Sequence, residues 1–207
     1  MRSSVTGVAF GREVDSCDNL LYAGSLMQER YMKGAKSLNS ILVDSSEVEY
    51  YTYLGPIFEA IQNKQNDYNW LITELNTNWI PDNFLNYFDQ YTIYEGYWDP
   101  ENRYLISGTQ LTKLIKDHKI QFIWGVLSGF NKSEKIDINS LDVVPFADGN
   151  TAFWEVGVSV QHPKAEIEII CWDSTLTLLI SKDQSIVKNF KEYFKEARDL
   201  DEYNIKE

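Results

Sequence analysis

The 207-residue sequence has few of the side chains that bind metals or form disulfides. It contains two cysteines, Cys17 and Cys171, and no CxxC pair, so neither a disulfide framework nor a cysteine-rich zinc site is expected. Its two histidines, His118 and His162, lie far apart in the sequence. We therefore predict no metal ion and no cofactor, and we expect both cysteines to be buried thiols.

The sequence also lacks the motifs by which common enzyme families are recognised. It has no glycine-rich nucleotide-binding loop, no GxSxG turn and no HExxH zinc motif. No apolar run is long enough for a membrane span, and the first residues, MRSSVTG, do not read as a signal peptide. We therefore expect a cytoplasmic protein, and no particular reaction is indicated.

Basic residues are scarce: 19 lysines and arginines stand against 31 aspartates and glutamates, for a net charge of −12. Nucleic acid or an anionic membrane would repel such a protein, so neither is expected as a partner. The charge is concentrated in residues 44–99, which hold ten acidic residues and a single base, Lys64. The same segment holds 14 of the chain's aromatic residues, which number 6 Trp, 13 Tyr and 10 Phe in all.

Hydrophobic spacing and capping residues predict several helices. One is expected over 56–63, and a second begins at Pro81, because proline suits the first turn of a helix. S-x-x-Q capping boxes at Ser107 and Ser181 precede two more helices, of which the last is strongly amphipathic. Residues 199–207 read as a polar tail.

Strands dominate the second half of the sequence. Residues 120–130 are apolar on both alternating faces, as in a central strand that is covered on both sides. Residues 151–161 alternate between apolar and polar, which predicts a strand with one wet face. Two shorter strands follow, over 165–171 and 175–180, and complete an antiparallel meander within 151–181. The predicted class is α+β, with helices packed on an antiparallel sheet.

The first part of the chain differs from the rest. Residues 1–45 are rich in serine and glycine and poor in aromatic residues, so we predict an N-terminal extension that is partly flexible. An apolar spacing over 20–31 allows one helix there. Residues 46–207 contain no convincing linker and are predicted to form a single α+β domain.

Three sets of side chains offer catalytic chemistry, but a structural role explains each set better. His118 falls on the apolar stripe of a predicted helix. His162 and Cys171 flank one predicted strand and lie about 30 Å apart, too far for a dyad. Glu166 and Glu168 share one face of that strand about 7 Å apart, within the range of glycosidase carboxylates. A solvated strand face is the commoner reason for that pattern.

The acidic and aromatic segment 44–99 is the feature that favours a function. Tyrosine and tryptophan dominate interface hot spots, and surrounding carboxylates steer a basic partner. Alternatively, these aromatic residues belong to the core and the acids form a solvated face. The residues predicted to contact a partner are Glu47, Glu49, Tyr50, Tyr51, Asp82, Asp89, Tyr94, Glu95, Trp98 and Asp99.

Three stretches resemble uncharacterised bacterial proteins of the polymorphic-toxin immunity type: QFIWGVLSGF (121–130), QHPKAEIEIICWDST (161–175) and DLDEYN (199–204). The resemblance covers roughly residues 50–207 and supplies no site residues. It implies a cytoplasmic protein that neutralises a cognate toxin by binding it. A basic toxin fits the acidic surface, because nuclease toxins must bind phosphate backbones.

Two alternatives remain open. The protein is a small-ligand-binding protein or an enzyme of unknown reaction, with a pocket between sheet and helices lined by Trp124, Trp154 and Trp172. Otherwise it is a structural or regulatory subunit that associates with copies of itself. The sequence does not determine the oligomeric state.

Overall fold

The computed structural model describes residues 39–43, 46, 48–50 and 52–206. These residues belong to one compact unit, Ser37–Glu207. The helix predicted within 20–31 and the thiol of Cys17 lie outside the described residues. Within the described ranges, no helix is long and apolar enough to cross a membrane.

In this part of the chain, eight strands form one sheet. The strands are β1 (Asn39–Leu42), β2 (Tyr68–Thr77), β3 (Gln90–Thr92), β4 (Arg103–Ser107), β5 (Phe122–Asn131), β6 (Ala165–Trp172), β7 (Leu176–Ser181) and β8 (Arg198–Asp199). Their order across the sheet is β3-β4-β2-β5-β6-β7-β1-β8, and all neighbouring pairs are antiparallel. The α-helices are α1 (Leu54–Ala60), α2 (Gly108–Asp117), α3 (Gln184–Tyr193) and α4 (Leu200–Lys206). The predicted α+β class is therefore confirmed.

Strand β5 is the central strand that the sequence predicts. It pairs with β2 on one side and with β6 on the other. Its apolar side chains alternate between the two faces of the sheet, so Leu127 enters one hydrophobic core and Val126 the other. Each face of the sheet must therefore be covered, which explains why β5 is apolar in both registers.

Helices α1, α2 and α3 cover one face of the sheet. Their buried side chains, such as Ile57, Leu114 and Phe190, pack against sheet residues that include Leu127 and Ile169. All five side chains are removed from solvent. Burial of apolar area on this scale contributes most of the free energy that holds the helices to the sheet.

The long connection between β5 and β6 covers the opposite face, together with α4. Ile138, Phe153 and Val160 from this connection pack on the sheet around Val126, as does Leu200 from α4. The connection contains little regular structure, with a single 3₁₀ turn in its middle. The sheet is thus enclosed between a helical layer and a layer made mostly of irregular chain.

The prediction of a strand over 151–161 is wrong. Residues Thr151–Trp154 form the 3₁₀ turn, and the chain that follows it to β6 is irregular. Both edges of β6, the predicted partner of this segment, are already occupied by β5 and β7, so no ladder is available there. Phe153, Trp154, Val158 and Val160 pack down on the sheet, whereas Ala152 and Val156 are exposed. The observed meander is β5–β6–β7.

Two other predictions also need correction. The helix predicted to begin at Pro81 is only a 3₁₀ turn, Phe84–Tyr87. The N–H of Asp89 already donates to the carbonyl of Leu105 at 2.8 Å, so the chain joins the edge of the sheet there instead of continuing as a helix. The predicted polar tail at 199–207 contains β8 and α4 instead. Acidic side chains in the first turn of α4 and a lysine in its last turn favour that helix through its dipole.

The capping predictions hold at one helix and shift at the other. Ser107 caps α2, since its Oγ accepts a hydrogen bond from the N–H of Gln110 at 3.3 Å. Helix α3 is capped by Asp183 rather than Ser181, with the Asp183 carboxylate accepting from the N–H of Ser185 at 2.8 Å.

Strand β1 comes from the segment 1–45 and pairs with both β7 and β8.

Candidate functional site

The connection between β3 and β4, residues 93–102, carries several aromatic rings on the surface, and we call it the aromatic loop. Tyr94, Tyr97 and Trp98 are 58%, 38% and 52% exposed. Tyr91 in β3, at the edge of the sheet, is 48% exposed. Neighbouring exposed rings of this kind form an apolar patch, which is typical of an interaction site.

Asn102 and Tyr104, both fully buried, hold the aromatic loop in place from beneath. The Asn102 Oδ1 accepts from the N–H of Tyr94 at 2.9 Å, and its Nδ2 donates to the carbonyl of Gly96. The Tyr104 hydroxyl donates to the carbonyl of Tyr97 at 3.0 Å. Burial raises the pKa of Tyr104 to about 12, so this hydroxyl keeps its proton. The loop is therefore ordered before any partner arrives.

Asp99 shapes the loop from within. One carboxylate oxygen accepts from the N–H of Glu101 at 2.8 Å, and the other accepts from the N–H of Glu95 at 3.3 Å. Two predicted contact residues therefore differ. Asp99 is half-buried and its carboxylate accepts hydrogen bonds within the loop, whereas Glu95 is exposed. Glu101 is equally exposed and belongs to the same surface. The predicted segment missed it because the acidic window ended at residue 99.

The acids around the aromatic loop come from a part of the sequence that is poor in basic residues. The sequence contains no lysine or arginine between residues 65 and 102. Five acids form no ion pair with any residue that the structure describes: Asp82, Asp89, Glu95, Asp99 and Glu101. Four of these, all but Asp99, are exposed. The described residues therefore provide no ion pair for the exposed carboxylates at this end of the sheet.

A row of hydrogen bonds links the aromatic loop to the chain before α1. The indole N–H of Trp98 donates to the Thr77 hydroxyl at 3.4 Å, and that hydroxyl donates to the carbonyl of Trp79 at 3.0 Å. The indole N–H of Trp79 donates to the carbonyl of Lys119 at 3.2 Å. Trp79 is 42% exposed, so it extends the patch of exposed rings beyond the loop. The sequence prediction had not singled out Trp79.

Glu49 and Tyr50 lie at the far end of this row. The Glu49 carboxylate accepts from the Lys119 ammonium at 2.6 Å, and this hydrogen bond raises the pKa of Lys119. Tyr50 is 42% exposed. The charge of Glu49 is thus balanced, unlike the carboxylates of the loop. Glu47 and Tyr51, the remaining members of the predicted set, lie outside the described residues.

Several aromatic residues of segment 44–99 belong to the core. Trp70 and Phe84 are at most 1% exposed, and Tyr87 is 5% exposed. The indole N–H of Trp70 donates to the carbonyl of Gln65 at 2.9 Å, so its one polar group is satisfied inside the protein. The aromatic richness of the segment therefore has two origins, a buried set that packs and an exposed set that faces solvent.

A group of titratable side chains lies next to Trp79. The Tyr87 hydroxyl donates to Asp117 Oδ2 at 2.8 Å and lies 3.1 Å from His118 Nε2. The Asp117 carboxylate also forms an ion pair with Lys113, and the hydrogen bonds from Lys113 and Tyr87 lower its pKa. The Trp79 ring packs edge-on against His118 with centroids 5.8 Å apart. His118 is the residue that follows α2 and is not a member of its apolar stripe, contrary to the sequence prediction, and it contacts Tyr87 and Trp79 instead.

The two glutamates of β6 do not form a pair, and the expectation that both lie on a solvated face is wrong for Glu168. Glu166 is half-exposed and bridges to Lys182 at 3.5 Å. Glu168 is fully buried, because the β5–β6 connection covers this face of the sheet. Its carboxylate accepts from the N–H of Gln161 at 2.9 Å and from the Ser128 hydroxyl at 3.0 Å. Glu168 therefore anchors the end of that connection.

His162 and Cys171 lie on opposite sides of the sheet, so they form no dyad. Cys171 is buried in the core beneath the helices, and burial raises the pKa of its thiol. The His162 ring packs edge-on against Phe130, with centroids 4.9 Å apart, in the other core. A protonated, inaccessible thiol is a poor nucleophile. Cys171 is the buried thiol that the sequence predicts.

The three tryptophans of the alternative hypothesis do come together, although on the face opposite α1–α3. The ring of Trp172 lies 5.0 Å from that of Trp124 and 5.1 Å from that of Trp154, measured between centroids. All three are half-buried. Tyr203 from α4 adjoins Trp154 at 6.5 Å. We call these four residues the tryptophan cluster.

Within the described ranges, no group of three or more His, Cys, Asp and Glu side chains is arranged to hold a metal ion. The aromatic loop and its carboxylates, which form no ion pair with the described residues, are therefore the surface whose function needs explaining. Comparison with known proteins finds no matching family model, no matching curated protein and no matching solved structure.

Proposed function

We propose that this chain is a non-enzymatic protein-binding module, an immunity-type inhibitor that neutralises a basic toxin in the cytoplasm. Its contact surface is the aromatic loop, extended by Trp79 and the exposed acids Asp82 and Asp89. One observation carries the proposal: exposed rings lie in a loop that buried side chains hold by hydrogen bonds, and the carboxylates of this loop form no ion pair with the described residues.

The rings would anchor the partner. Tyrosine and tryptophan bury large apolar areas with few rotatable bonds, which is why they dominate hot spots. Because Asn102 and Tyr104 already order the loop, little conformational entropy is lost on binding. A preorganised loop with three exposed rings is thus suited to tight association.

The carboxylates would select and steer the partner. A net charge of −12 accelerates encounter with a basic protein and repels acidic ones. Glu95 and Glu101 have exposed side chains, so they would meet partner cations without first breaking an ion pair described within this chain.

The experiment is affinity capture followed by a growth assay. The full wild-type chain and a variant carrying Glu95→Gln, Trp98→Ala and Glu101→Gln are used as bait in a lysate of the source organism. We expect the wild type to retain a basic protein that elevated salt releases and that the variant does not retain. Expression of that protein alone should arrest bacterial growth, and co-expression of the wild type, but not the variant, should restore it.

A matched control carries Glu192→Gln and Glu202→Gln, two exposed acids on α3 and α4. It should capture and protect as well as the wild type. Retention of the same protein by wild type and loop variant alike would overturn the proposed surface. A captured protein that is harmless to cells would overturn the role as an inhibitor.

A second candidate function rests on the tryptophan cluster. Its rings come from β5, β6, the β5–β6 connection and α4, and the tryptophans remain partly open to solvent. Half-buried aromatic rings are typical of sites that bind small ligands. A small-molecule panel that changes the intrinsic fluorescence of the wild type but not of Trp124→Phe would support a ligand site there, and no response from any compound would count against it.

A further inference from the structure

Exposed aromatic rings and exposed carboxylates alternate along the aromatic loop, in the order Tyr94, Glu95, Tyr97, Trp98, Glu101. We infer that the loop recognises arginine side chains of its partner in preference to lysine side chains. This inference rests on the proposed function and specifies the chemical group that the surface selects.

The geometry of the loop places the two kinds of group together. Both oxygens of the Asp99 carboxylate are bonded to main-chain N–H groups, one of Glu95 and one of Glu101. The backbones of these two glutamates are therefore tied to one point, immediately after Trp98 in the chain. Trp98 and the two glutamates therefore belong to one closed loop, and all three side chains are exposed.

A guanidinium group uses both features at once. It is planar and weakly hydrated, so it stacks on an indole or phenol ring, and its fork of N–H donors pairs with a carboxylate through two hydrogen bonds.

A lysine ammonium uses mainly the charge. It is compact and strongly hydrated, and it makes no planar contact with a ring. The carboxylates would attract lysine and arginine to a similar degree at long range. Discrimination between them must therefore come from the rings, of which Trp98 and Tyr94 are the most exposed in the loop.

The test compares two peptides, nona-arginine and nona-lysine, binding to the full chain by calorimetry at moderate ionic strength. We expect nona-arginine to bind about tenfold more tightly, since one or two stacking contacts supply that difference. The variant Tyr94→Ala/Trp98→Ala should reduce the ratio of the two affinities towards one. The variant Glu95→Gln/Glu101→Gln should weaken both peptides.

The control Glu192→Gln/Glu202→Gln loses the same two charges away from the loop and should leave the ratio unchanged. Equal binding of both peptides to the wild type would overturn arginine recognition while leaving an acidic binding surface in place. If neither peptide binds, or the control weakens binding as much as the loop variant, the proposed surface itself is overturned.

Discussion

Glu168 is fully buried and accepts three hydrogen bonds, from Ser128, Gln161 and His162. Burial raises the pKa of this carboxyl to about 7, from an ordinary value of 4.5 that the unfolded chain keeps. Between these two values the folded protein binds more protons than the unfolded chain. The contribution of Glu168 to stability therefore falls as pH rises through this window and is constant above it.

Replacement of Glu168 by glutamine removes this titration. The wild type loses stability as pH rises and the variant does not. We therefore expect the free energy of unfolding of Glu168→Gln, relative to that of the wild type, to increase by roughly 2 kcal/mol between pH 5 and pH 8. Urea denaturation followed by tryptophan fluorescence measures the difference at each pH. The variant Glu166→Gln, on the same strand but half-exposed, serves as control. A difference that stays constant with pH would contradict the assignment.

Gly108 opens α2 where the helix packs against a 3₁₀ turn, Lys64–Asp67. A Cβ atom at this position would lie 1.9 Å from the carbonyl oxygen of Gln65 and 2.9 Å from the Cα of Asn66. Both neighbours are backbone, so neither moves easily. The requirement for glycine comes from close approach of two segments.

We expect Gly108→Ala to destabilise the protein by at least about 3 kcal/mol, because the methyl group must displace the backbone. Gly55→Ala in α1 is the matched control, since its Cβ would lie 3.9 Å from the nearest atom, in Ile115. The control should be neutral or stabilised through better helix propensity. Thermal unfolding of both variants measures the contrast, and equal melting temperatures would contradict it.

The aromatic loop depends on one buried amide for its shape. Asn102→Ala would remove the acceptor for the Tyr94 N–H and the donor for the Gly96 carbonyl. We expect a loss of about 1–3 kcal/mol in stability and at least tenfold faster amide exchange within 94–97. Asn139→Ala, an exposed residue bonded to Thr92, is the control. Unchanged exchange in the Asn102 variant would show that the loop is ordered by other contacts.

Local sequence patterns predicted correctly those elements whose packing partners in the fold match the pattern. Strand β5 is apolar in both registers and is central, and Ser107 caps α2 as its capping box indicates. The alternation over 151–161 is equally regular, yet the segment is not a strand. A strand needs a free edge to pair with, and β5 and β7 already occupy both edges of β6, the predicted partner of this segment. The alternation did not mark the buried side chains either, because Ala152 and Val156 are exposed whereas Phe153, in the polar register, is buried.

The candidate site was partly predictable for a related reason. Composition located the acidic and aromatic segment, since a charge bias and a run of tyrosines are visible without a fold. It did not separate the buried Trp70 from the exposed Trp98, because only packing decides which ring faces the core. The role of Asn102 beneath the loop was also invisible, because it depends on contacts that only the folded chain brings together.

Across the whole protein, charge pairing differs between the two ends of the sheet. At the end formed by β7, β1 and β8, acids on α3 and α4 pair with lysines one turn away, as Glu192 does with Lys188 and Glu202 with Lys206. At the end formed by β3 and β4, the described residues provide no ion pair for the carboxylates of the aromatic loop. Ion pairs are therefore present on α3 and α4 and absent from the described part of the aromatic loop, although other acids such as Asp142 and Asp173 also lack a described ion pair.

Amide hydrogen exchange on the full chain, alone and bound to the basic protein that it captures, tests the central claim most directly. Binding through the aromatic loop should slow exchange in residues 90–102 and 77–79, while exchange in Gln184–Tyr193 stays unchanged. Protection confined to α3, or to the strands that carry Trp124 and Trp172, with the aromatic loop unaffected, would contradict the account.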